Sequence, residues 1–261
     1  ILQFNVESLE ELKKISEIAV QKKLTANIAL RVNPDISAGG HPKISTGKKT
    51  DKFGVSIIKS KEIYQLAKKL KGIRIVGVDI HIGSQILNIK PFKTAFNKII
   101  KFTKELEADG HEIKNIDLGG GVGINYLNSK ESDIFLKDYT DLIKYVSKKT
   151  NKKIIIEPGR YLLGNTGILV TKVLYKKTEG IKKFLIVDAG MNNLMRPALY
   201  NAVHQIGMIK KKIIKNYNYN KYEVVGPICE TADVLVKDAK LNRAVKQDDI
   251  LFIEKVGAYG S

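Results

Sequence analysis

The sequence predicts an α/β protein: part of a parallel (β/α)8 barrel of the TIM type over residues 1–160, then part of a mostly antiparallel β domain, sandwich or barrel, over residues 161–261. Three observations lead there. Strand-like and helix-like stretches alternate up to about residue 160. The strands are near-continuous apolar runs, as in sheets covered on both faces. Chemistry-bearing residues fall at the carboxyl ends of successive strands: Asn33, His81 to Ser84, Gly119 to Gly121, and Glu157 to Arg160. A barrel sends all such ends to one mouth, whereas an open sheet aims only those near its switch point.

The elements follow in order. A stub, ILQFN, precedes the helix VESLEELKKISEIAVQKK. ANIALRVN (26–33) is a β-branched strand ending in polar residues, and SKEIYQLAKKL (60–70) returns to helical spacing. IRIVGVDIHIGS (73–84) is strand-like. PFKTAFNKIIKFTKELEADG (91–110) is a helix with proline near its start and Gly110 past its end. IKNIDLGGG supplies the third strand, SDIFLKDYTDLIKYVSKKT (132–150) a helix capped by Ser132 or Asp133, and KKIIIEPGR (152–160) the fourth strand. Beyond residue 160 come the β-like stretches GILVTKVLYKKTEG, KKFLIVDAG, KYEVVGPICETADVLVKD and DDILFIEKVGAYGS, with no long helical pattern. The lysine-rich MIKKKIIKNYNYNKY (208–222) reads as a surface strand and loop.

Composition narrows the function. Apolar residues at 43% and charged residues at 28% fit a soluble globular protein. No apolar run approaches the roughly 20 residues of a membrane span. The lone Cys229 excludes an internal disulfide and fits a reducing, cytoplasmic compartment. The net charge of +18 invites a nucleic-acid reading, but 40 of the 45 basic residues are lysines spread along the whole chain. Along the chain they lack the aromatic interleaving of the kind that stacks bases, so no nucleic-acid partner is expected. Where lysine is the default cation, an arginine marks a need for the planar guanidinium fork. Arg160 in EPGR and Arg196 in MRPALY stand in such stretches.

The motifs point to an anionic ligand. Gly119, Gly120 and Gly121 fail the dinucleotide fingerprint, because position 124 is Ile124. They read either as a flexible turn or as a strand-end loop whose N–H groups approach a phosphate. His81 follows directly on an apolar strand, so its flat ring projects toward the mouth, and Ser84 is a second phosphate donor. Glu157 closes three isoleucines, where a carboxylate is costly to desolvate without a partner such as a ligand nitrogen. Pro158 and Gly159 make the turn and Arg160 clamps an anion; the alternative is a capped helix start. Cys229, between Pro227 and Glu230 in a loop-like stretch, is either filler or a proton donor.

Taken together, KFG (52–54), HIGSQI, DLGGGVGI, EPGR, DAGMNNLMRPALY, GPICE and GAYGS occur in an order and spacing that resemble the alanine-racemase-like (fold III) pyridoxal-phosphate decarboxylases, over almost the whole chain. The resemblance implies pyridoxal 5'-phosphate as cofactor and no metal. It implies that Gly119 to Gly121, Ser84 and the turn Glu157–Pro158–Gly159–Arg160 hold the phosphate, and that His81 stacks on the pyridine ring. Glu157 keeps the pyridine nitrogen protonated, Cys229 reprotonates the product-forming carbanion, and Tyr259 touches cofactor and substrate. The likeness is greatest to members that convert meso-2,6-diaminopimelate to L-lysine and carbon dioxide as homodimers with shared sites. A basic amino acid needs only an anion at its far end. Diaminopimelate carries a second amino-acid head, which needs a cation for the carboxylate and an anion for the ammonium. Arg160, Arg196 and Tyr200 supply the first, and Glu230 the second.

The family's Schiff-base lysine belongs to an early barrel strand, and none of the 40 lysines stands in that motif, so the chain is expected to be an inactive piece of an enzyme. The competing readings are a decarboxylase of another basic amino acid or carboxylated polyamine, a non-catalytic pyridoxal-phosphate carrier, and a basic nucleic-acid-binding domain.

Overall fold

A computed structural model of the chain describes residues 1–36, 52–127, 132–209 and 218–260. They form two compact units, Ile1–Gly123 with Lys130–Pro158, and Ile124–Ser129 with Gly159–Ser261.

In the first unit the chain winds as β1 (Phe4–Val6), α1 (Leu9–Gln21), β2 (Ala26–Asn33), β3 (Val55–Ser56), α2 (Ile57–Ala67), β4 (Ile73–Asp79), α3 (Ile89–Ala108), β5 (Asn115–Asp117), α4 (Ser132–Thr150) and β6 (Lys153–Ile155). The strands are parallel and ordered β1-β2-β4-β5-β6, with β3 beside the end of β2. That order never reverses. A doubly wound sheet would reverse at its switch point, so this is the wall of a TIM-type barrel.

Caps explain where the helices begin. The Ser8 side chain accepts the Glu11 amide at the start of α1, while Glu11 reaches back to the Glu7 amide. Ser56 caps α2, which therefore starts three residues before the helical spacing becomes visible. Asn88 caps α3 and leaves Pro91 in its first turn, where its missing N–H costs nothing. Gly110, at φ +80°, follows the α3 C-cap as expected. The side chains of Ser132 and Asp133, the expected caps of α4, lie outside the described residues. Phe92 and Phe96 of α3 and Tyr139 of α4 lock the two helices together, with the Phe92 and Tyr139 rings 5.0 Å apart.

In the second unit β7 (Ile168–Glu179), β8 (Lys182–Val187), β9 (Ile206–Ile209), β10 (Tyr219–Val225), β11 (Val234–Asn242) and β12 (Ile250–Glu254) form one sheet in the order β11-β10-β8-β7-β12-β9. It is antiparallel except where β10 runs parallel to β8. Val173, Leu185, Tyr222, Leu235, Leu251 and Ile253 anchor its core. Two five-residue helices interrupt the β-rich order: α5 (Gly159–Leu163), the helix start that was the alternative reading of EPGR, and α6 (Arg196–Tyr200), which was not legible in the sequence. The centre of the lysine-rich stretch, residues 210–217, lies outside the described residues, and its two ends are β9 and β10.

Candidate active site

At the strand ends of the first unit, the glycine triplet is demanded by the protein's own backbone. A Cβ on Gly119 would collide with the Ile80 carbonyl oxygen, and one on Gly120 with the carbonyl oxygen of Glu157. A Cβ on Gly121 would stand 2.5 Å from the Gly83 carbonyl oxygen. Gly119 and Gly121 also adopt φ of +65° and +102°. The loops after β4, β5 and β6 therefore pack backbone on backbone, tied by Glu157 N–H to Gly119 O at 2.8 Å and Ile86 N–H to Gly121 O at 2.9 Å. This corrects one expectation. The Gly119 amide donates to Asp117 Oδ1 (3.0 Å) and the Gly120 amide to His81 Nδ1 (3.1 Å), so both are turned inward rather than offered to a phosphate.

The Gly120 bond settles the state of His81. Its Nδ1 accepts, so the neutral ring carries its proton on Nε2. Burial, then the nearby Arg31 charge, pulls its pKa down to about 4. A neutral flat ring is thus fixed at the end of β4, two residues after Asp79, with Ser84 in the loop that follows.

Beside Glu157 stand further carboxylates, Asp79 and Asp117, that sequence reading missed. Asp79 and Asp117 are register partners on β4 and β5. Asn5 of β1 donates to Asp117 Oδ2 (3.0 Å) and to Glu157 Oε1 (3.3 Å). Glu7 pairs with Arg31 at 2.6 Å. Asp79 is 2% exposed and its Oδ1 has no hydrogen-bond partner; burial, then Asp117 and Glu157, raises its pKa well above the carboxylate range. Glu157 is exposed as a residue, contrary to the desolvated carboxylate expected, and hydrogen-bonds to Asn5. Partial desolvation, then Asp117, raises its pKa. The signal was present in VDIH and NIDLGG, where an acid closes each apolar run, but only the register puts the acids side by side.

The second unit gathers the arginines. Arg160 lies on α5, so the EPGR turn does start a helix, and Gly159 and Arg160 belong to this unit while Glu157 and Pro158 close the first. Arg160 Nη1 donates to the Tyr126 hydroxyl at 2.7 Å, and its guanidinium lies 4.6 Å from the Tyr259 ring centroid. Arg196, on α6, stacks 4.2 Å over the Tyr126 ring and bonds to His204 at 2.7 Å. Both arginines are buried, at 7% and 6% exposure. Tyr200 ends α6 and acts electrostatically on Arg196. Tyr126 and His204, which join this cluster, carried no motif that would have singled them out.

Cys229 and Glu230 are exposed on the turn between β10 and β11. Asp233, another residue sequence reading missed, shapes that turn. It is 3% exposed, and its carboxylate accepts the Ile228 amide at 2.8 Å and the Met191 amide at 2.6 Å, binding GPICE to DAGMN. Asp233→Ala strands two amides and should cost about 3 kcal/mol in urea unfolding of the intact protein, with Asp233→Asn losing less.

Residues 1–164 match the model for the pyridoxal-binding domain of pyridoxal-dependent decarboxylases, and the chain belongs to that family. It is 44% identical over 260 residues to diaminopimelate decarboxylase of Aquifex aeolicus, a match covering 100% of this chain and 61% of that protein. The enzyme of the same name from Haemophilus influenzae is 43% identical over 259 residues, 99% of this chain and 61% of that protein. The crystal structure of Helicobacter pylori diaminopimelate decarboxylase complexed with L-lysine matches with a TM-score of 0.91 at 42% identity, over 100% of this chain and 64% of that one. The chain thus spans about three fifths of the length of the curated relatives it matches.

The family's cofactor is pyridoxal phosphate. The first unit fits its ring: a neutral imidazole held rigidly by the Gly120 amide, and a carboxylate of raised pKa at Glu157. The phosphate needs donors other than the amides of Gly119 and Gly120.

Proposed function

We propose that the intact protein decarboxylates meso-2,6-diaminopimelate to L-lysine and carbon dioxide in the cytoplasm, as a homodimer. The observation that carries the substrate is Arg196: a buried guanidinium whose described partners are a histidine and a tyrosine, with no carboxylate among the groups that shift its pKa. A buried cation held by neutral groups is suited to an anion brought by a ligand. Arg160 and Tyr200 reinforce it, and the far carboxylate of diaminopimelate is such an anion.

The remaining roles follow from chemistry. His81 stacks on the pyridine ring of the cofactor, and Ser84 donates to its phosphate. Glu157 holds the proton at the ring nitrogen: its partly desolvated carboxylate lies beside the Asp117 charge, and a pyridinium would supply the opposite charge that keeps it ionised. The cofactor supplies the electron sink for the pair left when the carboxylate departs. Tyr259, against Arg160, contacts cofactor and substrate. The exposed Cys229 and Glu230 complete the site of the second subunit, Cys229 giving a proton to carbon and Glu230 receiving the far ammonium. A decarboxylase of ornithine or arginine is the second reading, and a substrate with no far carboxylate leaves the two arginines without a use.

Arg196→Lys keeps the charge but loses the fork and the stack on Tyr126. With diaminopimelate, kcat/KM of the intact protein should fall by roughly 1.5–3 kcal/mol, about 10- to 150-fold. Unchanged kinetics, or a parent enzyme that turns over ornithine better than diaminopimelate, would overturn the substrate assignment.

A further inference from the structure

His204 is buried at 2% exposure and belongs to none of the motifs that identify the family. Its hydrogen bonds determine its state. A guanidinium only donates, so the 2.7 Å bond from Arg196 Nη1 makes His204 Nε2 an acceptor. The proton then sits on Nδ1, which donates to the Glu254 carbonyl at 2.9 Å. Both ring nitrogens are used, the ring is neutral, and β12 holds it in place through that carbonyl. The ring also packs edge-on against Tyr126, at 5.2 Å and 78°. Tyr126 in turn lies under Arg196 and accepts from Arg160. His204 and Tyr126 thus form a frame that sets the direction of both guanidinium groups.

The choice of a neutral acceptor matters. A carboxylate in the place of His204 would hold Arg196 as firmly, but would cancel its charge in a buried setting where Coulomb attraction is strong. We propose that His204 is a positioning residue for anion recognition: it orients the Arg196 guanidinium through a neutral nitrogen and so leaves the full positive charge of Arg196 to a ligand carboxylate. This rests on the reading that Arg196 takes the substrate's far carboxylate, and it assigns the strength of that contact to a residue that never touches the substrate.

The test uses the intact protein with its cofactor and two calorimetric probes, L-lysine and 1,5-diaminopentane. They differ only in that the second lacks the carboxylate. His204→Glu should weaken L-lysine about tenfold or more while changing diaminopentane less than about twofold, because the new carboxylate competes for one charge. His204→Gln, which restores a neutral acceptor, should hold L-lysine within about threefold of the parent. If the glutamate variant does not fold, His204→Leu replaces it: removing the acceptor should weaken L-lysine selectively. Equal losses for both probes, or an unchanged preference in a folded glutamate or leucine variant, would overturn the role of His204. A parent that does not favour L-lysine over diaminopentane would instead overturn the carboxylate reading beneath it, and this proposal with it.

Discussion

Gly120→Ala should be among the most damaging one-carbon changes in the first unit, costing about 3 kcal/mol or more in the intact protein. The added Cβ would meet the Glu157 carbonyl oxygen, which is backbone and has no rotamer by which to withdraw. The nearest relief is to push the β5 and β6 loops apart. That breaks the Glu157 N–H to Gly119 O bond and moves His81 away from the Gly120 amide that orients it. Gly110→Ala is the control. Gly110 sits at φ +80°, yet its Cβ would meet nothing nearer than Lys68 Nζ at 3.6 Å. Its cost is conformational only, about 1–2 kcal/mol. Urea unfolding and retention of pyridoxal phosphate on gel filtration check both variants. Equal losses at the two positions would show that the triplet is a flexible turn after all.

Acidification should destabilise the protein through its two neutral histidines. The pKa values of His81 and His204 are both pulled down to about 4, mainly by burial. Between the ordinary value near 6.5 and about 4, the unfolded chain binds these protons and the folded one does not. Stability is therefore lost as pH falls through that window, and below it no more is lost to these groups. For His81 the ceiling is roughly 3 kcal/mol. Asp79 and Glu157 act in the opposite sense. Their raised pKa values make the folded state the better proton acceptor above the normal carboxylate range, so acid relieves a cost there. Both effects fall between pH 7 and pH 5, so unfolding is compared there for the parent and a histidine variant. His81→Asn should flatten the loss of stability between those values, whereas an unaltered slope would mean that the imidazole is already charged or exposed.

Much of the fold was legible because it is written in local patterns. β2 and α4 have the limits their apolar spacing implies, and the alternation of helix and strand among the described residues of the first unit follows the sequence reading except for the two-residue β3. Gly110 announced the end of α3 for the same reason, since only glycine takes that φ cheaply. The motif order was also enough to reveal the family, and it singled out Arg160 and Arg196, both of which the structure buries. What the sequence determined by itself is therefore the kind of its longer elements and the motifs that reveal the family. Tertiary structure decided what each of those residues faces. Three glycines in a row state that something comes close, but only the convergence of three strand ends reveals that the neighbour is the protein's own carbonyls. Asp79, Asp117 and Glu157 lie up to 78 residues apart, and only parallel register brings their charges together. Arg196 and His204 are eight residues apart in sequence, yet nothing local makes one the acceptor for the other. That pairing exists because β12 offers the Glu254 carbonyl to the far side of the ring, and a hydrogen bond between distant segments leaves no period in the sequence to read.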